Sequence, residues 1–110
     1  MRLQDIKTKL GYTVVTLPQE DIEISDAYTS DLLSDVMGNA PDNSVLITIQ
    51  GHKNSIAVAS LIGMPAIILC NKRSAPQDMV AAAISESIAI FSTSDNQFTA
   101  SCKIGSLLNS

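Results

Sequence analysis

Tryptophan is missing from this chain, and aromatic residues as a whole are rare, with two tyrosines and two phenylalanines in 110 residues. Any interior must therefore be aliphatic, and a surface that binds single strands by stacking has almost nothing to stack with. Basic residues are also scarce. Seven Lys and Arg against eleven Asp and Glu give a net charge of −4, with a pI near 4.6. Cations this few, spread along the sequence, do not make the basic face that phosphate backbones require, so nucleic acid is not an expected partner. No apolar run approaches the roughly 20 residues of a membrane span, so no membrane association is expected. Met1-Arg2-Leu3-Gln4-Asp5 reads as the start of an amphipathic helix and lacks the apolar core of a signal peptide. The two cysteines, Cys70 and Cys102, are far apart and without metal-ligand spacing. They read as reduced packing residues, and the cytoplasm is the expected compartment.

Catalytic signatures are equally thin. There is no Walker A pattern and no Gly-x-Gly-x-x-Gly. A single histidine, His52, has no nearby cysteine or serine elbow with which to build a triad. One histidine and scattered carboxylates are too few for a metal site. The expectation is a protein without catalytic residues, metal or cofactor.

What the chain does have is apolar content, at 45% of residues with a mean hydropathy of +0.22. That suffices for one core, and residues 1–110 read as one domain. Leu3, Ile6 and Leu10 repeat at helical spacing before Gly11. Tyr12 to Leu17 reads as a strand broken by Pro18, and Ile22-Glu23-Ile24 as a half-exposed strand continuing towards Ala27 and Tyr28. Ser30 or Asp31 is expected to cap a short helix with the stripe Leu32, Leu33, Val36 and Met37, which ends in the turn-rich Gly38–Asn43. From Val45 onward the order is regular: strand 45–49, a nearly all-apolar helix 55–62, strand 66–70, a helix carrying Met79, Val80, Ala83 and Ile84, strand 88–91, and a final helix. Ser74-x-x-Gln77 and Ser94-x-x-Gln97 have the form of capping boxes for the last two helices. Crossovers of this length imply parallel neighbours with right-handed connections. Continuously apolar strands imply a sheet covered on both faces. The expected fold is a three-layer α/β/α domain with a mixed, mostly parallel five-stranded sheet, the first two strands adding an antiparallel edge.

In open α/β sheets, ligands gather beyond the carboxyl ends of the strands, where helix N-termini present free N–H groups. Three loops qualify. Gln50-Gly51-His52-Lys53-Asn54 follows the third strand, Asn71-Lys72-Arg73-Ser74 the fourth, and Ser92-Thr93-Ser94-Asp95 the fifth. With Ser30 and Asp31 they should share one edge. The candidate ligand-binding residues are Ser30, Asp31, Gln50, Gly51, His52, Lys53, Asn54, Asn71, Lys72, Ser92 and Thr93. Gly51 would let a ligand approach the backbone, Lys53 and Lys72 would counter its charge, and hydroxyls would hold its oxygens. A plainer reading makes Asn54 a helix cap and His52-Lys53 a solvated turn. Asp31 and Asp35, four apart on one expected helical face, are a conceivable acid–base pair.

Tyr28-Thr29-Ser30-Asp31-Leu32-Leu33-Ser34-Asp35-Val36-Met37, followed by Ile47-Thr48-Ile49-Gln50-Gly51-His52-Lys53-Asn54-Ser55-Ile56-Ala57-Val58-Ala59, resembles the DRTGG domain family over essentially the whole chain. The family's Asp-Arg signature is absent. Gly51-His52-Lys53-Asn54 stands in its place, keeping a positive group and losing the acidic one. The family is similar in fold to the N-terminal domain of HPr kinase/phosphorylase. The resemblance implies a stand-alone regulatory or ligand-sensing module, often a homodimer, binding a small anionic or nucleotide-like molecule at the strand carboxyl edge or the dimer seam. Two alternatives stand beside it. One is a ligand-free interaction module docking on a partner enzyme, and the other a small phosphate-handling enzyme using Asp31 and His52.

Overall fold

A computed structural model describes residues 1–110. In chain order the elements are α1 (Leu3–Thr8), β1 (Thr13–Thr16), β2 (Asp26–Thr29), α2 (Leu33–Asn39), β3 (Ser44–Thr48), α3 (Lys53–Ile62), β4 (Ala66–Leu69), α4 (Gln77–Glu86), β5 (Ala89–Ser92) and α5 (Gln97–Leu108). The strands form one five-stranded sheet in the order β1-β5-β4-β3-β2. β2, β3, β4 and β5 are mutually parallel, and β1 runs antiparallel against β5.

The three-layer arrangement follows from period-two alternation in strands that are buried on both faces. Val45, Ile47, Ala66, Ile68, Ala89 and Phe91 point to one side and pack with Leu3 and Ile6 of α1 and Ala100 and Ile104 of α5. Leu46, Ile67, Leu69 and Ile90 point to the other side and pack with Val36 of α2, Ile56 and Ala59 of α3, and Met79 and Ala83 of α4. With almost no aromatics available, both cores are aliphatic except for Phe91 and Tyr12. A fully buried aliphatic side chain contributes about 1.5–3 kcal/mol relative to exposure, so each central strand is a substantial part of the stability.

From β2 to β5 each new strand is added on the same side of its predecessor. Right-handed crossovers that always step the same way leave their helices on one face, which is why α2, α3 and α4 share a layer. Only after β5 does the chain turn to the opposite face, where α5 joins α1.

Several local expectations are revised. β1 and β2 are not neighbours: they hold opposite edges, and only β1 is antiparallel. β1 descends from the carboxyl edge, where Thr13 lies opposite Ser92, so the chain must cross beneath the sheet to start β2 in parallel with β3. Ile22–Ile24 belongs to that crossing. It pairs with the first residues of the chain instead of extending β2, with Ile24 N donating to Met1 O at 2.7 Å and a bridge between Arg2 and Glu23.

The helix caps also differ. α5 is capped by Asn96, whose side-chain oxygen accepts from Thr99 N at 2.9 Å, and not by Ser94. α4 begins after Pro76 with no side-chain cap, so Ser74 does not close a capping box. α2 starts after Leu32, again without a side-chain cap. Cys70 is buried as expected, whereas Cys102 faces solvent on α5 and is not a packing residue. No helix is long and apolar enough to cross a membrane.

Candidate functional site

Because β3, β4 and β5 are parallel, their three following loops emerge at one edge of the sheet. Backbone contacts tie them together. Lys72 N donates to Thr93 O, and Asn71 N to Asp95 O, each at 3.0 Å, so the loop after β4 continues the ladder against the loop after β5. Asn71 and Lys72 both sit in the left-handed region, with φ of 58°. That backbone is costly for residues other than glycine, and least so for asparagine. The loop after β3 meets the same assembly through Gly51. A Cβ built there would lie 2.7 Å from the carbonyl oxygen of Ser74. The close approach that requires glycine is therefore made by the chain's own backbone.

The two central loops then part. From β4 the chain goes to the α4 layer, and from β5 to the α5 layer on the opposite face. A crevice outside the carboxyl ends of neighbouring strands whose connections diverge is where open α/β sheets take ligands. A polar groove of about 470 Å³ occupies this place, lined by Lys72 to Ala75, Ser92 to Ser94, and Thr13 and Val15 of β1. Its size falls within the roughly 300–1,000 Å³ of small-molecule sites, but its lining is far more polar than theirs usually is. Thr93 Oγ1 accepts from Asp95 N at 3.1 Å, while the hydroxyls of Ser74, Ser92 and Ser94 make no hydrogen bond within the chain.

Charge at this edge runs against the acidic balance of the whole protein. The ion pairs engage the N-terminus, Arg2, Lys9 and Lys103. Lys53, Lys72 and Arg73, all on carboxyl-edge loops, are not paired with any carboxylate. The acid of this region, Asp95, is turned away: its Oδ2 accepts from Tyr12 Oη at 2.8 Å and from Lys103 Nζ at 2.7 Å. The Lys103 ammonium first, and the Tyr12 hydroxyl second, hold the Asp95 carboxyl below the usual carboxylate range. Burial, followed by the bond to Asp95, raises the Tyr12 phenol above its ordinary value. Burial likewise pushes the Cys70 thiol, at the end of β4, up to about 11.

The remaining expected site residues divide between this groove and structural work. Lys72, Ser92 and Thr93 line the groove, and Asn71 braces its loop through the backbone bond to Asp95. Arg73, Ser74 and Ser94 line it too. They lay inside the predicted loops but were not singled out, because a loop sequence does not say which of its side chains face the crevice. In the neighbouring loop His52 caps α3, its Nδ1 accepting from Asn54 N at 3.0 Å, so the cap is His52 and not Asn54. Gln50 is held by its backbone, N donating to Thr48 Oγ1 and O accepting from Ser55 Oγ. Lys53 and Asn54 line a separate concavity between α3 and α4.

Ser30 and Asp31 lie beyond β2, at the far side of the sheet from the groove. Ser30 Oγ accepts from Leu32 N at 3.2 Å. Asp31 Oδ1 accepts from Thr48 Oγ1, Ile49 N and Gln97 Nε2, each at 2.9 Å, joining the ends of β2 and β3 to the start of α5. Asp35 instead accepts from Tyr28 Oη and Asn39 Nδ2. Asp31 precedes the helix that carries Asp35, and with their oxygens bound to different partners the two acids do not form a pair.

No family model matches the chain, and no curated protein matches it. Among solved structures, it is similar to the CBS and DRTGG domains of the regulatory region of Clostridium perfringens pyrophosphatase, a structure complexed with the activator diadenosine tetraphosphate. The TM-score is 0.72 at 13% identity, and the match covers 90% of this chain and 44% of that one, so the chain spans less than half of that regulatory region. At such low identity what is shared is the fold, and that fold is DRTGG-like.

Proposed function

We propose that this protein is a regulatory, ligand-sensing module that binds a small anionic, nucleotide-like molecule in the groove beyond β4 and β5. The observation that carries this reading is the juxtaposition of two unpaired cations, Lys72 and Arg73, with the free hydroxyls of Ser74, Ser92 and Ser94 in one crevice. Phosphate oxygens are acceptors only, and such a lining supplies donors and positive charge without a facing carboxylate. The pyrophosphatase regulatory region, with its dinucleotide polyphosphate activator, lends support as a structural relative that responds to this ligand class. On this reading the module performs no chemistry. His52 and Asp31, which a phosphate-handling enzyme would need as acid and base, are a helix cap and a structural anchor. A cytoplasmic setting, where nucleotides are abundant, fits the proposal.

The test is a thermal-shift titration with ATP, diadenosine tetraphosphate and, as an uncharged control, adenosine. Ligand at 100 times its Kd stabilises a domain by about 2.7 kcal/mol. We expect stabilisation by the phosphorylated compounds, none by adenosine, and its loss in Lys72→Ala/Arg73→Ala. Shifts of equal size in that double variant would refute the groove. A second reading, docking on a partner enzyme, is favoured by two exposed apolar chains. Leu32 and Phe98, 64% and 77% exposed, adjoin the joined residues Asp31 and Gln97. It is the reading left standing if no phosphorylated ligand stabilises the domain.

A further inference from the structure

A second concavity, of about 480 Å³, lies on the outer surface between α3 and α4 and shares no lining residue with the anion groove. Both helices start at the carboxyl edge and run side by side to the amino edge, ten residues each, about 15 Å long. Lys53 stands at the first end of the concavity and Glu86 at the other. Neither is in an ion pair, and the side chain of Glu86 is bonded only to Ser60 Oγ, at 3.0 Å. Between them the lining is low, with Ala57 and Ala82, so another helical surface can come close. On the outer shoulders of the two helices stand Leu61 and Ile84, 71% and 64% exposed.

Opposite, uncompensated charges at the two ends of a shallow apolar-shouldered groove make it complementary to itself. A two-fold axis through its middle lays a second copy across it in reverse, bringing Lys53 of each copy to Glu86 of the other. A partner of one charge sign would satisfy one end and oppose the other. We propose that the α3–α4 face is an isologous interface with a second copy of this chain, closed by two Lys53–Glu86 pairs.

Sedimentation velocity on the full chain tests this with Lys53→Glu, Glu86→Lys and their equimolar mixture. Both residues are exposed, and thermal melts verify that the variants fold. Wild type is expected to be a dimer. Each single variant, whose homodimer would oppose like charges at both ends, is expected to be a monomer. The mixture is expected to recover the dimer, because a mixed pair has opposite charges at both contacts. A monomeric wild type, single variants that dimerise like wild type, or a mixture that stays monomeric would each overturn the proposal. Because these residues lie outside the anion groove, nucleotide stabilisation is read separately and stands or falls on its own.

Discussion

Two glycines that look alike in the sequence should respond in opposite directions to the same added methyl group. At Gly51 a Cβ would sit 2.7 Å from Ser74 O and 3.7 Å from its carbonyl carbon. Ordinary contact begins near 3.4 Å, so the loop after β4 must retreat by several tenths of an ångström, or the loop after β3 must. Overpacking of this kind costs about 1–3 kcal/mol. The loop bearing Ser74 is exposed and can yield, so we expect Gly51→Ala to fall in the lower half, about 1–2 kcal/mol. For a domain near this size, 1 kcal/mol shifts Tm by about 4 °C or somewhat more. The predicted loss is therefore about 4–8 °C. At Gly105, within α5, an added Cβ meets nothing within 4 Å. There Gly105→Ala removes backbone freedom from the unfolded chain and should stabilise by about 0.5–1 kcal/mol. Paired calorimetric melts of the two variants and wild type check the contrast. A Gly51→Ala protein as stable as wild type would refute the claim that the two loops are in backbone contact. Ser74 also lines the groove, so the same variant should weaken ligand stabilisation.

Asp31→Ala should cost about 2–4 kcal/mol by urea unfolding, because it leaves Thr48, Ile49 and Gln97 without their acceptor. A smaller cost of about 1 kcal/mol is expected for His52→Ala, the loss of a helix cap, with unchanged nucleotide stabilisation. The Tyr12 phenol is raised in the folded state by burial and by Asp95, so it keeps its proton after the unfolded phenol has begun to ionise near pH 10. Stability should then fall with rising pH above about 10, by up to roughly 1.4 kcal/mol per pH unit, and Tyr12→Phe should flatten that slope in pH-dependent denaturation. The depressed Asp95 carboxyl acts at the other end: its contribution is present above the ordinary carboxylate range and disappears as pH drops through its lower folded value. In a thiol-reagent assay one equivalent, Cys102, should react at once and Cys70 only on unfolding, since it is buried and its thiol is raised to about 11.

The fold was legible where the chain repeats a simple rule. Runs such as Val45–Ile49 and Ala66–Cys70 are apolar without alternation, and only a strand covered on both faces tolerates that. The crossovers after them then follow from chirality. The first third of the chain was harder, because Ile22–Ile24 alternates like a strand yet owes its burial to pairing with Met1 and Leu3, a contact between segments that no local pattern encodes. Caps were misread for a related reason. Ser74 and Ser94 stand at the right spacing from Gln77 and Gln97, but both lie in loops engaged with other loops. Each helix starts later, once the backbone is free to turn.

The candidate site shows the same division more sharply. Sequence spacing located every loop at the carboxyl edge, because that depends only on which strands are parallel. It did not say where the edge opens, since that depends on where the helices change face. The winding from β2 to β4 is monotonic and leaves α2, α3 and α4 side by side, so the loop after β3 has no divergence to exploit. It closes instead through the His52 cap and the Gly51–Ser74 contact. Divergence comes one strand later, between β4 and β5, and the cations there that face the crevice are Lys72 and Arg73. Gly51-His52-Lys53-Asn54, which stands where the DRTGG signature would be, therefore acts on the groove indirectly, by setting the position of Ser74. Lys53→Ala should then leave nucleotide stabilisation nearly intact, whereas Lys72→Ala should not. If thermal shifts show the reverse ranking, the ligand sits over the loop after β3 and the divergence argument is wrong.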